Sequence, residues 1–66
     1  MKNLIKKNNL DGVTYGETTL FLYFNDATGN YEVENLDGNY ITTLGSTPDK
    51  DWAETIYENE MIAWES

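Results

Sequence analysis

The sequence predicts an α+β domain: a three- or four-stranded antiparallel β-meander with one C-terminal amphipathic helix packed on one face. Apolar residues first alternate with the period of a strand, turn signals divide that region, and a helical period follows near the end of the chain. The 66 residues are expected to form a single domain, with 13–45 as the meander and 48–64 as the helix.

Three turn signals bound the predicted strands. The tetrapeptide Asn-Leu-Asp-Gly occurs at 9–12 and again at 35–38. Asp-Gly between strand-like segments indicates a β-hairpin with a two-residue turn of type I′. The stretch 25–30 suits a longer hairpin loop that Gly29 closes. The predicted strands are about 2–9, 13–25, 31–36 and 39–45.

The second predicted strand carries apolar residues on both faces, as a central strand does. Because alternate residues of a strand point to opposite faces, Leu20 and Leu22 point to one face. Phe21 and Tyr23 point to the other. The third strand should present Glu32 and Glu34 to water. The first segment is either a strand or a loose N-terminal arm, because residues 6–9 are all polar.

The helix has a recognisable beginning. Thr47 is a suitable N-cap, Pro48 suits the first helical position, and Asp49 and Asp51 favour the positive end of the helix dipole. The alternative is a shorter helix that ends near Asn59, with 61–64 as a further strand.

A helical wheel gives the predicted helix one apolar face and one acidic face. Glu60 falls inside the apolar arc. Either the helix frays or ends there and leaves Glu60 in water, or the carboxylate is held at a partner surface or in a polar contact with the sheet. The apolar face comprises Trp52, Ala53, Ile56, Tyr57, Met61, Ala63 and Trp64.

The distribution of charge is the main functional signal. Twelve carboxylates face four lysines, with no Arg or His, for a net charge of −8. Lys2, Lys6 and Lys7 lie in the first seven residues, so the chain from residue 8 onward has twelve acids and only Lys50 as a base. Such a body repels itself, and a positively charged partner would relieve that repulsion.

Four acids form a narrow stripe on the predicted helix, here called the acidic stripe: Asp51, Glu54, Glu58 and Glu65. The acidic stripe runs roughly 21 Å along the helix at 1.5 Å per residue. Its i,i+3 and i,i+4 neighbours are like-charged, which costs a few tenths of a kcal/mol per pair. It is either a partner-binding surface or simply a solvated face. Glu32 and Glu34 are further candidates for partner binding.

The aromatic residues divide into core and surface candidates. Phe21 and Tyr23, on the strand face opposite the helix, are a candidate apolar anchor beside the acidic stripe or a homodimer face. The aromatic residues expected in the core are Phe24, Tyr31, Trp52, Tyr57 and Trp64.

Several classes of function are disfavoured. Without His, Cys or Arg the usual nucleophile–base pairs cannot be built, so no catalytic residue is assigned. No phosphate loop, zinc spacing or calcium loop is present, so neither a cofactor nor a metal is expected. The negative body disfavours direct nucleic-acid binding, and no apolar run approaches membrane-spanning length. We expect a cytoplasmic location in the host cell.

In size and charge alone, the chain resembles small acidic proteins of phages and mobile elements, such as anti-restriction proteins, anti-CRISPR proteins and uracil-DNA glycosylase inhibitors. No motif assigns it to one of those families, and no functional residues are carried over. The resemblance implies an inhibitor that mimics nucleic acid and blocks a basic DNA- or RNA-processing enzyme. The alternatives are a self-association module that uses the aromatic strand face and an immunity-type protein that neutralises a basic toxin.

Overall fold

The computed structural model describes residues 1–9 and 18–65, with the backbone alone for residues 64 and 65. The strands pair antiparallel in the order β1-β2-β3-β4, and α1 packs on one face of the sheet. This architecture confirms the predicted α+β meander with four strands, and residues 2–9 form a strand. Residues 13–17 of the second predicted strand lie outside the described residues. The elements are β1 Lys2–Asn9, β2 Thr18–Asn25, β3 Asn30–Asp37, β4 Tyr40–Thr47 and α1 Lys50–Glu65.

A two-residue turn joins β3 to β4, as predicted. Its central residues are Gly38 and Asn39, not the predicted Asp-Gly pair, and its type is not the predicted I′. Asp37 and Tyr40 are the paired residues that flank it. Gly38 has φ +63°, and no described residue other than glycine has positive φ. Positive φ at the first central position alone fits type II′, for which glycine is the preferred residue there. The first predicted turn, at 9–12, lies mostly outside the described residues.

The loop between β2 and β3 closes as its sequence predicts. The Asn25 carbonyl accepts a hydrogen bond of 2.8 Å from the Gly29 amide, and Gly29 has φ +79°. The Asn25 side-chain oxygen also accepts one of 3.1 Å from the Ala27 amide, the Asx-turn arrangement that favours Asn at such positions. β2 therefore ends at Asn25, and β3 begins at Asn30.

The core lies between α1 and the sheet face to which Leu20, Leu22 and Val33 point. These three side chains are fully buried together with Ala53, and Tyr57 is almost so. The alternation predicted for β2 and the apolar face predicted for the helix are therefore confirmed for these positions. Partly buried side chains that pack against this core are Tyr31, Leu44, Ile56 and Met61.

Trp52 is the exception, because 56% of its surface is exposed. The buried stripe of α1 is centred on Ala53 and Tyr57, so Trp52 falls at the margin of the predicted apolar arc. The prediction that Trp52 belongs to the core was wrong, whereas the side chain of Trp64 lies outside the described residues.

Gly45 allows α1 to lie close to β4. It pairs with Val33 across the sheet, and a Cβ atom built on it would stand 2.7 Å from the Cδ1 of Ile56. Real Cβ atoms do not approach a neighbour so closely. The small residue therefore makes room for the Ile56 side chain.

Asp49 is the N-cap of α1, which corrects the prediction of Thr47. The Asp49 carboxylate accepts hydrogen bonds from the amides of Asp51 at 3.0 Å and Trp52 at 3.4 Å. Thr47 is instead the last residue of β4, paired with Tyr31, and its hydroxyl accepts from the Asp49 amide at 3.1 Å. The helix then continues to Glu65, so the alternative with a strand at 61–64 was also wrong.

Candidate functional site

A cleft lies between β1 and α1. The helix packs over β2, β3 and β4, and β1 extends beyond it with all eight of its residues exposed. The cleft measures about 430 Å³ and opens widely to solvent. Its lining residues are Lys6, Asn8, Tyr57, Glu58, Met61 and Ile62.

Side chains from β1 reach across the cleft to the helix. The Asn8 amide nitrogen donates a hydrogen bond of 3.0 Å to the hydroxyl of Tyr57. The Lys6 ammonium lies 5.7 Å from the centre of the Tyr57 ring and 3.9 Å from the Glu54 carboxylate. Strand β1 is thus tied to the helix by polar contacts.

Two members of the acidic stripe, Glu54 and Glu58, lie beside this cleft. Glu58 lines the cleft directly and is exposed, and Asp51 is exposed in the first turn of α1. Glu54 is half-buried and has Lys6 as its counter-ion. The side chain of Glu65 lies outside the described residues. The structure therefore brings Glu54 and Glu58 to the β1 side of the helix and leaves Asp51 in solvent near its beginning.

Glu32 and Glu34 lie on the opposite face of the sheet and are not free carboxylates. The Lys2 ammonium lies 3.2 Å from Glu32 and 3.0 Å from Glu34. Their side chains are only 16% and 12% exposed. Hydrogen bonds to Glu34 and then Glu32 hold the pKa of Lys2 above its ordinary value. These two acids therefore have a counter-ion within the chain, which the prediction of a water-facing pair did not include.

Phe21 and Tyr23 do not adjoin the acidic stripe. They pair across the sheet with Glu34 and Glu32, on the face away from α1. Their rings stack at 5.6 Å with an angle of 17° between their planes, and the Lys2 ammonium lies 5.3 Å from the Tyr23 ring centre. Both aromatic residues are half-buried. The predicted apolar anchor therefore does not lie beside the acidic stripe, since the sheet separates the two groups, and its role in binding stays a prediction.

Two further sequence expectations have an outcome in the structure. Glu60 is half-buried in a helix that continues past it, so fraying does not explain its position, and the residue is not without a partner in the chain. Phe24 and Tyr31 pack against each other with ring centres 4.9 Å apart and are half-buried at the edge of the core.

Sequence reasoning missed the role of the N-terminal lysines. Lys2 and Lys6 are the counter-ions of three carboxylates that lie 25 or more residues later in the chain. The signal available was the strand assignment itself, because an antiparallel β1 beside β2 brings the basic segment next to the acidic body.

No known protein family, curated protein or solved structure matches this chain. Within the residues that the structure describes, no three His, Cys, Asp or Glu side chains are grouped closely enough to hold a metal ion. In that same part of the chain, no helix has both the length and the apolar character needed to cross a membrane.

Proposed function

We propose that the protein binds a basic protein through the acidic stripe and thereby competes with nucleic acid for that partner. One observation carries this proposal: Asp51 and Glu58 are exposed on a helix that has no Lys or Arg from residue 51 to the end of the chain. A solvated helix more often alternates its charges, since i,i+4 pairs of opposite sign attract.

The spacing of these carboxylates suits a surface that binds phosphates. Asp51 and Glu58 are seven positions apart in the chain, which corresponds to about 10.5 Å along the helix axis at 1.5 Å per residue. Successive phosphates on one strand of duplex DNA lie about 3.4 Å apart along the helix axis. The two carboxylates therefore span roughly three phosphate steps. Lys and Arg side chains placed to contact a nucleic-acid strand could therefore contact both.

Lys6 marks the position that a partner's cation would take. It is the counter-ion of Glu54, yet it lies 3.9 Å away and both side chains are partly exposed. An exposed pair of this kind contributes little to stability, so exchanging Lys6 for an Arg or Lys of the partner would cost little. Glu54 can thus join Asp51 and Glu58 in the complex.

In this proposal the chain acts in the cytoplasm of the host cell as an inhibitor of a DNA- or RNA-processing enzyme. The net charge of −8 supports a cationic partner and opposes direct contact with phosphates. Electrostatic attraction would speed the encounter and would weaken as salt concentration rises.

Affinity capture from a host-cell lysate tests the proposal. The immobilised chain should retain a nucleic-acid-binding protein that duplex DNA then elutes. The Glu54→Lys/Glu58→Lys variant should retain none of it while its circular dichroism spectrum stays unchanged. Capture that persists in this variant, or that DNA does not reverse, would rule out the acidic stripe as the binding surface.

A further inference from the structure

One face of the sheet is covered by α1, and no described element covers the other, here called the open face. Cross-strand partners share a face of the sheet, so the register assigns residues to it. Leu4 pairs with Tyr23, and Leu36 pairs with Ile41. Leu4 and Ile41 are exposed, and the other apolar residues of the open face are half-buried. The apolar side chains of the open face are Leu4, Phe21, Tyr23, Leu36 and Ile41.

The open face is electrically balanced, unlike the chain as a whole. Among the described residues, its positive charges are Lys2 and Lys7, which pair with Asn25 and Phe21 across the sheet. Its negative charges are Glu32 and Glu34, and Lys2 contacts both. The charges that the described residues place on this face therefore sum to zero, while the whole chain carries −8.

The compensated charge of the open face favours a second copy of this chain over a basic protein as its partner. A basic protein gains nothing electrostatically at a neutral face and would favour the acidic stripe. A second copy of this chain is itself strongly acidic, so it is repelled everywhere except where the local charge is compensated. The open face is such a place, and it combines that compensation with an apolar centre.

The size of the open face is sufficient for a small dimer. Four strands about 4.8 Å apart, with eight residues rising about 3.3 Å each, give a face of roughly 500 Å². Two such faces together bury roughly 1,000 Å², which is near the lower limit for a specific interface.

We infer that two copies of the chain pack open face to open face and form a symmetric β-sandwich. The two sheets would lie about 10 Å apart, as in aligned sheet packing, with Phe21 and Tyr23 near the two-fold axis. Both copies of α1 then lie on the outside, so each acidic stripe stays accessible. The inference goes beyond the proposed function and does not depend on it.

Sedimentation equilibrium on matched variants tests the dimer. Ile41, on the open face, and Ile62, on α1, are each 61% exposed. The unmodified chain should dimerise, and Ile41→Lys should raise the dimer dissociation constant roughly tenfold or more. Ile62→Lys adds the same charge away from the open face and should leave dimerisation intact. Ile41→Thr keeps a β-branched side chain and should show a smaller loss, which guards against a variant that simply unfolds.

Salt dependence separates this inference from the proposed function. Added salt screens the repulsion between two copies and should strengthen the dimer, whereas it should weaken binding to a basic partner. A chain that stays monomeric at millimolar concentration overturns the inference. Equal weakening of the dimer by Ile41→Lys and Ile62→Lys also overturns it. So does a monomeric chain that captures a protein from lysate and loses that capture on Ile41→Lys. None of these results alters the expected loss of capture by Glu54→Lys/Glu58→Lys.

Discussion

The Nζ atom of Lys6 lies 3.9 Å from Oε1 of Glu54, and this ion pair joins the edge strand β1 to α1 across the cleft. Because both side chains are partly exposed, the pair contributes little to the free energy of unfolding. Its larger effect is on local charge, since it neutralises one carboxylate of the acidic stripe. The strength of the proposed binding surface should therefore depend on Lys6.

Removing Lys6 should increase affinity for a cationic probe. With a dodecalysine peptide as the probe, Lys6→Gln should bind roughly two- to fivefold more tightly than the unmodified chain, because Glu54 becomes available. Lys7→Gln removes the same charge on the opposite face, where screening over about 10 Å at 0.1 M salt weakens its effect. Isothermal titration calorimetry measures both affinities, and equal gains for the two variants would contradict the role given to Lys6.

The contact between Gly45 and Ile56 predicts that Gly45→Ala has opposite effects on stability in the unmodified chain and in the Ile56→Val variant. Gly45→Ala should destabilise the unmodified chain by about 1 kcal/mol, since the new Cβ would stand 2.7 Å from the Cδ1 of Ile56. In the Ile56→Val background that methyl group is absent, so Gly45→Ala should be neutral or stabilising. Urea unfolding of the four proteins gives the coupling energy. Additive effects would show that the contact does not limit the packing of α1.

The N-cap assignment is tested by three variants. Asp49→Ala should cost about 1 kcal/mol, because two amides of the first helical turn lose their acceptor. Asp49→Asn keeps an accepting oxygen and should retain most of the stability. Thr47→Ala loses one exposed hydrogen bond and should cost less than Asp49→Ala. Urea unfolding measures the loss of stability in each of the three variants. A larger loss for Thr47→Ala than for Asp49→Ala would identify Thr47 as the N-cap.

The pH dependence of stability reports on Lys2. Its pKa is raised in the folded chain by hydrogen bonds to Glu34 and Glu32. The contribution to stability is therefore complete below the ordinary lysine pKa of 10.5 and is lost as the pH rises through the higher folded value. The difference in free energy of unfolding between the unmodified chain and Lys2→Met should be constant near neutral pH and shrink in strong alkali. Tyrosine ionisation is common to both proteins, so a difference that grows with pH would contradict the assignment.

Much of the fold could be predicted because it depends on local patterns. The alternation that buries Leu20 and Leu22 and leaves Phe21 on the open face follows directly from the period of a strand. The N-cap could not be chosen from local sequence, since Thr47 and Asp49 are both good caps. Pairing of Thr47 with Tyr31 extends β4 and leaves Asp49 for the helix.

The candidate site was less predictable, because its charges are arranged by tertiary contacts. Lys2 reaches Glu32 and Glu34 only through the register that sets β1 against β2 and β2 against β3. The rotation of α1 on the sheet, which exposes Trp52, depends on the packing of Ala53 and Tyr57 against the core. The positions of Asp51, Glu54 and Glu58 on α1 follow from helical period alone, whereas their use as a binding surface stays a prediction.

Charge-matched neutralisation tests the central claim most directly. Asp51→Asn/Glu58→Gln and Glu32→Gln/Glu34→Gln each remove two negative charges, the first pair from the acidic stripe and the second from the open face. In quantitative capture of nucleic-acid-binding proteins from a host lysate, the first variant should lose most of the bound protein and the second should keep it. Equal losses would show that only net charge matters, and a loss confined to the second variant would contradict binding through α1.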